Sequence, residues 1–207
     1  ASFPFGTAKN IAVANCPVLA LRVTYVGELG WELHLPVEVA VTVYEALIAT
    51  GQVANAGYRA IETLRLEKGY RAWGGDIGPD HTPVEAGLAW AVKMKSGLPF
   101  LGREAIAAQL ANGVKKRLAT FTAAPDVVLL GRETIYRNGQ RVGWLSSGGY
   151  GHTVARSIGM GYVRHPEGVT EDFVLSGSYE LEVASERVPA QVTLSPLYDP
   201  ENRKVKS

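Results

Sequence analysis

Hydrophobic and polar positions alternate with a period of two on both sides of a glycine-bearing stretch, Tyr25-Val-Gly-Glu-Leu-Gly-Trp-Glu-Leu33. Val23 and Tyr25 alternate with Arg22 and Thr24, and Trp31, Leu33 and Leu35 alternate with Glu32 and His34. This pattern predicts a β-hairpin over 20–35 with its turn at Gly27 to Gly30. In that register Val26 pairs with Trp31 and Tyr25 lies opposite Glu32. Cross-strand partners share a face with Cβ atoms about 5 Å apart, so a phenol and a carboxylate would stand side by side. The pair is either a solvated ladder or a binding site.

The period then changes. Val41, Val43, Tyr44, Leu47 and Ile48 fall on one helical face, which predicts a helix over 37–49 opened by Pro36 and bounded by Gly51. Ile61, Leu64 and Leu66 predict a second helix at 58–67, stopped by Gly69. Residues 69–82 read as an irregular Gly, Pro and Asp loop that nevertheless carries Tyr70 and Trp73. The nearly all-apolar run 83–92 predicts a buried strand, and 100–110 a short helix ended by Asn112-Gly113. A short apolar run at 10–16 reads as a loop or edge strand before the hairpin. From Val114 strand-like runs dominate, at 117–122, 133–137, 141–146, 157–163 and 179–183. Asn138-Gly139 marks one hairpin, and 187–194 returns from the last of these runs to make another. The predicted class is α+β: a sheet covered by helices over 1–113, then a small antiparallel barrel or sandwich over 114–207.

Composition narrows the chemistry mainly by exclusion. At 207 residues the chain is long enough for one large or two small cores, and its net charge of +1 provides no field for nucleic acid or an anionic membrane. The single cysteine, Cys16, rules out an internal disulfide, suits a reducing compartment, and reads as a buried structural thiol. No apolar run reaches the roughly 18 residues of a membrane span. The start, Ala1-Ser-Phe-Pro-Phe-Gly, has no initiator Met and no signal-peptide regions, as expected of a chain that begins within a longer one. Despite 23 glycines, neither Gly74-Gly-Asp-Ile-Gly78 nor Gly148-Gly-Tyr-Gly151 has the spacing of a nucleotide loop, and both read as turns. Asp76, Asp80 and His81 could hold a cation, but a solvated loop explains them better. There is no serine-nucleophile elbow and no basic stripe interleaved with aromatics.

Tyr25, Glu32, Tyr70 and Trp73 remain. Exposed glutamate on a hairpin is common, and tyrosine and tryptophan usually pack, so a purely structural role stays open. The functional reading has more specific chemistry. A carboxylate accepts two adjacent N–H bonds, which matches the ring N–H and exocyclic amine of an amino-pyrimidine edge. Flat rings nearby would supply stacking surface. Such a site suits a pterin or a purine.

Arg22-Val-Thr-Tyr-Val-Gly-Glu-Leu-Gly-Trp-Glu-Leu33 resembles the central signature of the folate-binding aminomethyltransferase family, the glycine-cleavage T-protein type. Arg59 through Gly74, Thr82 through Leu88, Gly159-Met-Gly-Tyr-Val163 and Pro196-Leu-Tyr-Asp-Pro200 are similar to further blocks of that family, in the same order. Glu67-Lys-Gly-Tyr-Arg-Ala-Trp-Gly74 is most similar to the folate domain behind the flavin domain of dimethylglycine and sarcosine dehydrogenases and oxidases. The resemblance implies part of a ferredoxin-like folate-binding layer over 1–113, followed by a C-terminal barrel over 114–207. It implies tetrahydrofolate as cofactor, with Glu32 on the pterin edge and Tyr25 and Tyr70 lining the pocket beside Trp73. The family's catalytic Asp is expected upstream of this chain, in the N-terminal half of the same domain. FAD would belong to a further N-terminal domain. Ile61 stands where the glycine-cleavage enzyme carries a substrate-binding Arg, which favours the flavin-fused branch. The expected role is capture of an N-methyl-derived carbon as 5,10-methylenetetrahydrofolate, in the cytoplasm or the mitochondrial matrix. A freestanding aminomethyltransferase and a non-catalytic assembly module are the alternatives.

Overall fold

The structure is a computed structural model that describes residues 3–207; Ala1 and Ser2 lie outside the described residues. Strands β1 (Ala8–Val13), β2 (Cys16–Leu21) and β3 (Glu32–His34) form an antiparallel sheet in that order. The expected edge strand is therefore β1. Helices α1 (Val37–Ile48) and α2 (Tyr58–Glu67) follow, within a residue or two of their predicted bounds. Of α1 only Val43 is buried, and Val37, Val41 and Tyr44 stand exposed. Helix α3 (Arg103–Asn112) leads to six strands: β4 (Lys116–Ala123), β5 (Thr134–Arg137), β6 (Gln140–Gly151), β7 (Arg156–Arg164), β8 (Tyr179–Val183) and β9 (Glu186–Thr193). These close into an antiparallel barrel of order β4-β7-β6-β5-β8-β9. The α+β class holds, and the barrel, not the sandwich, is the second layer.

Two apolar clusters organise the molecule. Phe121, Ile135, Leu145, Val163 and Leu181 fill the barrel, all essentially inaccessible. Leu66 of α2 packs with Leu118, Ile158, Met160 and Tyr162 on the barrel's outer face. That second cluster fixes the end of α2 against the barrel wall. Among the described residues no helix is long and apolar enough to cross a membrane.

Four expectations fail, each for a local reason. The β2–β3 pairing exists, but Leu21 faces Glu32 and residues 22–31 form a ten-residue loop, not a tight turn. Tyr25 therefore does not lie opposite Glu32. The loop is tied elsewhere: the Tyr25 hydroxyl donates to the Arg71 carbonyl at 2.9 Å, and Tyr198 donates to Glu28. The 83–92 run is a helical turn and a short 3₁₀ turn at Ala89–Ala91, not a strand. Thr82 and Glu85 cap that turn reciprocally, Thr82 N–H to Glu85 Oε2 at 2.9 Å and Glu85 N–H to Thr82 Oγ1 at 3.3 Å. Gly148–Gly151 lies inside β6, and a Cβ on Gly148 would come within 2.6–2.8 Å of the Gly131 and Leu129 backbone, so glycine there permits a close crossing. Cys16 is half-buried at the start of β2, its thiol donating to the Ala14 carbonyl.

Candidate functional site

Helix α2 ends at Gly69, whose φ of +69° favours a residue without a Cβ. Gly69 N–H bonds the Leu66 carbonyl at 3.0 Å and Tyr70 N–H the Arg65 carbonyl at 2.9 Å, the paired closure of a Schellman motif. The stop turns Tyr70 back towards the loop that carries Tyr25. The two rings lie nearly parallel, 17° apart with centroids separated by 6.0 Å. At that spacing no third ring fits between them, and they form one aromatic wall only in the sense that both line the same cavity. That cavity, of about 490 Å³, is completed by Arg71, Leu88, Trp90 and Pro196. Burial raises both phenol pKa values, so the hydroxyls stay protonated. Burial also lowers the pKa of Arg71, whose Nη1 donates to the Gly69 carbonyl at 2.6 Å and whose Nε donates to the Ala86 carbonyl at 3.0 Å.

The strap from Tyr70 to Ile77 is held by a buried ion pair that spacing does not reveal. Asp76, fully inaccessible, accepts from Arg65 Nη1 at 2.5 Å and from Ala72 N–H at 3.0 Å. Its other oxygen accepts from the hydroxyls of both Ser146 and Ser147, at 2.5 and 2.7 Å. Consecutive strand residues normally point to opposite faces. The β6–β7 register slips between Leu145 and Ser147, and this bulge aims both hydroxyls at one carboxylate. Arg65 in turn donates to Glu62 Oε2 at 2.8 Å, to Ser147 Oγ at 2.8 Å and to the Tyr70 carbonyl at 3.2 Å. Burial alone would depress the Arg65 guanidinium, but the Asp76 and Glu62 carboxylates outweigh it and keep it charged. Asp76 is thus a structural carboxylate, not part of a solvated loop, and no metal-binding cluster occurs among the described residues.

The four residues singled out in the sequence separate into two pairs. Tyr25 and Tyr70 share the cavity wall. Glu32 sits on β3 with its side chain 55% exposed, 3.5 Å from His34 Nε2, and does not line the cavity. Trp73 is 74% exposed and its backbone bridges Ile77. The network that Asp76 makes with Arg65, Ser146 and Ser147 went unrecognised, Asp76 having been read as part of a solvated loop, because the contact spans two chain segments about seventy residues apart.

His81 stacks on Tyr162 with centroids 4.6 Å apart, and its Nδ1 is buried without a partner. Burial first, and Lys116 second, lower its pKa. The folded state thus favours neutral imidazole, so this contribution is complete above the unfolded pKa and is lost as pH falls through the folded one. Urea unfolding should show stability declining from about pH 7 towards pH 5. In His81→Gln that part of the decline should shrink; an unchanged profile would remove His81 from the account.

A layered α/β unit joined to a six-stranded barrel, with an aromatic cavity beside the helix that bridges them, is the architecture of a glycine-cleavage T-protein-like domain. Residues 1–96 match the GCVT N-terminal domain and residues 116–199 the glycine cleavage T-protein C-terminal barrel domain, and the chain belongs to the glycine cleavage T-protein family. It is 46% identical to mitochondrial sarcosine dehydrogenase of Mus musculus over 99% of its length, and 38% identical to mitochondrial dimethylglycine dehydrogenase of Homo sapiens over 94%. It spans only 23% and 22% of those relatives. The crystal structure of glycine cleavage system aminomethyltransferase T from Bartonella henselae superposes with a TM-score of 0.83 at 26% identity, covering 96% of this chain and 54% of that one.

Proposed function

We propose that this chain is the C-terminal part of a tetrahydrofolate-binding, one-carbon transfer domain within a longer, flavin-bearing dehydrogenase of the sarcosine or dimethylglycine type. The observation that carries the reading is the Tyr25–Tyr70 wall beside a 490 Å³ cavity, a volume within the roughly 300–1,000 Å³ typical of small-ligand sites. Aromatic rings beside a cavity supply stacking surface for a pterin ring. Tetrahydrofolate, when bound, supplies the amine that takes up a formaldehyde-level carbon, with 5,10-methylenetetrahydrofolate as product. The residues of this chain bind and orient. Tyr25 and Tyr70, protonated and held by the strap, present the stacking face. Glu32 lies outside the lining of this cavity, and on this reading it accepts the adjacent N–H donors of the pterin edge only once the N-terminal half of the domain completes the pocket, with Trp73 as a further cofactor contact there. No acid–base catalyst is assigned within residues 1–207; that role falls to the N-terminal half of the domain, which also completes the pocket. Holding the two reactants together provides much of the rate advantage. The folate-binding half extends to about residue 113 and the barrel unit from there. FAD belongs to the flavin domain, where the N-methyl amine is oxidised.

The test is a calorimetric titration of the natural polypeptide with tetrahydrofolate, with Trp fluorescence followed on the same sample. Saturable heat with quenching supports the reading. A folded protein giving neither would favour a non-catalytic assembly module instead.

A further inference from the structure

On the outer face of the barrel, away from the aromatic cavity, lies a second groove of about 460 Å³. Its lining includes Val142 and Trp144 together with Lys115, Arg141, Arg164 and His165. In a chain of net charge +1, three permanent cations and a histidine in one groove are a local excess. Among the described residues, none of Lys115, Arg141 and Arg164 forms an ion pair.

Arg164 is the unusual member. It ends β7 directly across from Lys116 of β4, and like charges facing each other across a ladder are destabilising. Lys116 is accounted for, since its Nζ donates to the Asp80 carbonyl at 2.7 Å and lies 3.6 Å from Glu85. Arg164 is not. Its Nη1 is buried without an acceptor, and the loss of water lowers the guanidinium pKa. An unmet charged donor of this kind carries a desolvation cost, and charge neutralisation of the same guanidinium by a nearby anion would offset part of it. The guanidinium is nonetheless packed against two rings, lying 4.1 Å from the Trp144 ring centroid and 5.9 Å from that of Tyr162. A stacked arginine keeps its unburied donors available, and Nε and Nη2, neither of them among the buried unpaired atoms, are the ones an oxyanion in the groove can reach. Trp144 remains 46% exposed, which leaves indole surface for a ligand.

We propose that this groove binds a small oxyanion, a phosphate or carboxylate borne on a flat apolar body, with Arg164 as the anion contact and Trp144 as the stacking surface. Arg141 and Lys115 add long-range attraction from the same lining. The site is independent of the folate reading.

The probes are AMP and benzoate, which join a flat ring to a phosphate or a carboxylate, with adenosine and inorganic phosphate as half-ligands. Calorimetry on the natural protein should show AMP or benzoate binding that weakens with salt, and little or no heat from adenosine. A preference between the two identifies the phosphate or the carboxylate as the natural group. Arg164→Gln should weaken binding roughly tenfold or more, the value of a charge-assisted hydrogen bond. Arg164→Lys should recover only part, because a point charge replaces the fork. Arg141→Gln, at an exposed position, should weaken it less and steepen no unfolding curve. Tetrahydrofolate should not displace AMP. Equal affinity in wild type and Arg164→Gln, or no heat from either AMP or benzoate up to roughly 10 mM, overturns the proposal.

Discussion

Replacing Asp76 with Ala is expected to destabilise the protein by about 3–5 kcal/mol, the usual cost of removing one partner from a buried ion pair. The magnitude follows from what is left behind. Arg65, 2% exposed, would keep its charge with only Glu62 to answer it, and the two serine hydroxyls and the Ala72 N–H would lose their acceptor. For a chain of this size the midpoint of thermal unfolding should fall by roughly 10 °C. Asp76→Asn keeps the shape but not the charge and should fall between wild type and Ala. Pairing Asp76→Leu with Arg65→Met should recover much of the loss, because it removes the orphaned charge along with its partner. Equilibrium unfolding in urea measures all three variants against wild type. A loss below about 1 kcal/mol for Asp76→Ala would mean that the network contributes no more than an exposed ion pair does.

Glu32→Gln should behave in the opposite way. With a half-exposed side chain and only a 3.5 Å contact to His34, Glu32 adds little to stability, and its replacement should stay within about 0.5 kcal/mol of wild type. Its effect should fall on folate. A carboxylate offers two acceptors and a charge to adjacent N–H donors, whereas the amide turns one of those acceptors into a donor facing another donor. Losing a charge-assisted pair is worth about 2–3 kcal/mol, or roughly 30- to 150-fold in affinity. Calorimetry on the natural protein separates the outcomes, and unchanged folate affinity would remove Glu32 from the site. The two variants together divide the chain's polar residues into those that hold the wall and those that meet the ligand.

The elements that local pattern foretold are those with clear stops. Helix α2 was legible from its apolar spacing and its Gly69 stop although Arg65, Leu66 and Glu67 are all buried, and β4, β5, β7 and β8 because their runs are short and bounded by turns, although β4 and β7 are buried on both faces. The Tyr25–Tyr70 pairing was legible only as two aromatics in motifs, since the hairpin geometry that first linked Tyr25 to Glu32 does not occur. Loop 22–31 departs from its alternating pattern because Tyr25 and Glu28 find hydrogen-bond partners at Arg71 and Tyr198, far along the chain. In 82–88 the signal was present and overridden. Thr82-Pro-Val-Glu85 has the capping-box pattern with proline at the first helical position, but the apolar run beside it suggested a strand. The Asp76 network was not legible at all, because its second half depends on a bulge that no local pattern announces.

The barrel closes by joining its first strand to its last, Thr120 facing Thr193, while Asp76 waits for hydroxyls that come seventy and seventy-one residues later. On a ribosome this order has a cost. Arg65 and Asp76 leave the exit tunnel well before Ser146 and Ser147, and β4 emerges long before β9 can seal the barrel. Local helices form early, but long-range closure is slow and leaves strand edges open in the meantime. The nascent chain therefore carries an incomplete polar centre and an unsealed barrel together, and both are resolved only when its final third has been made.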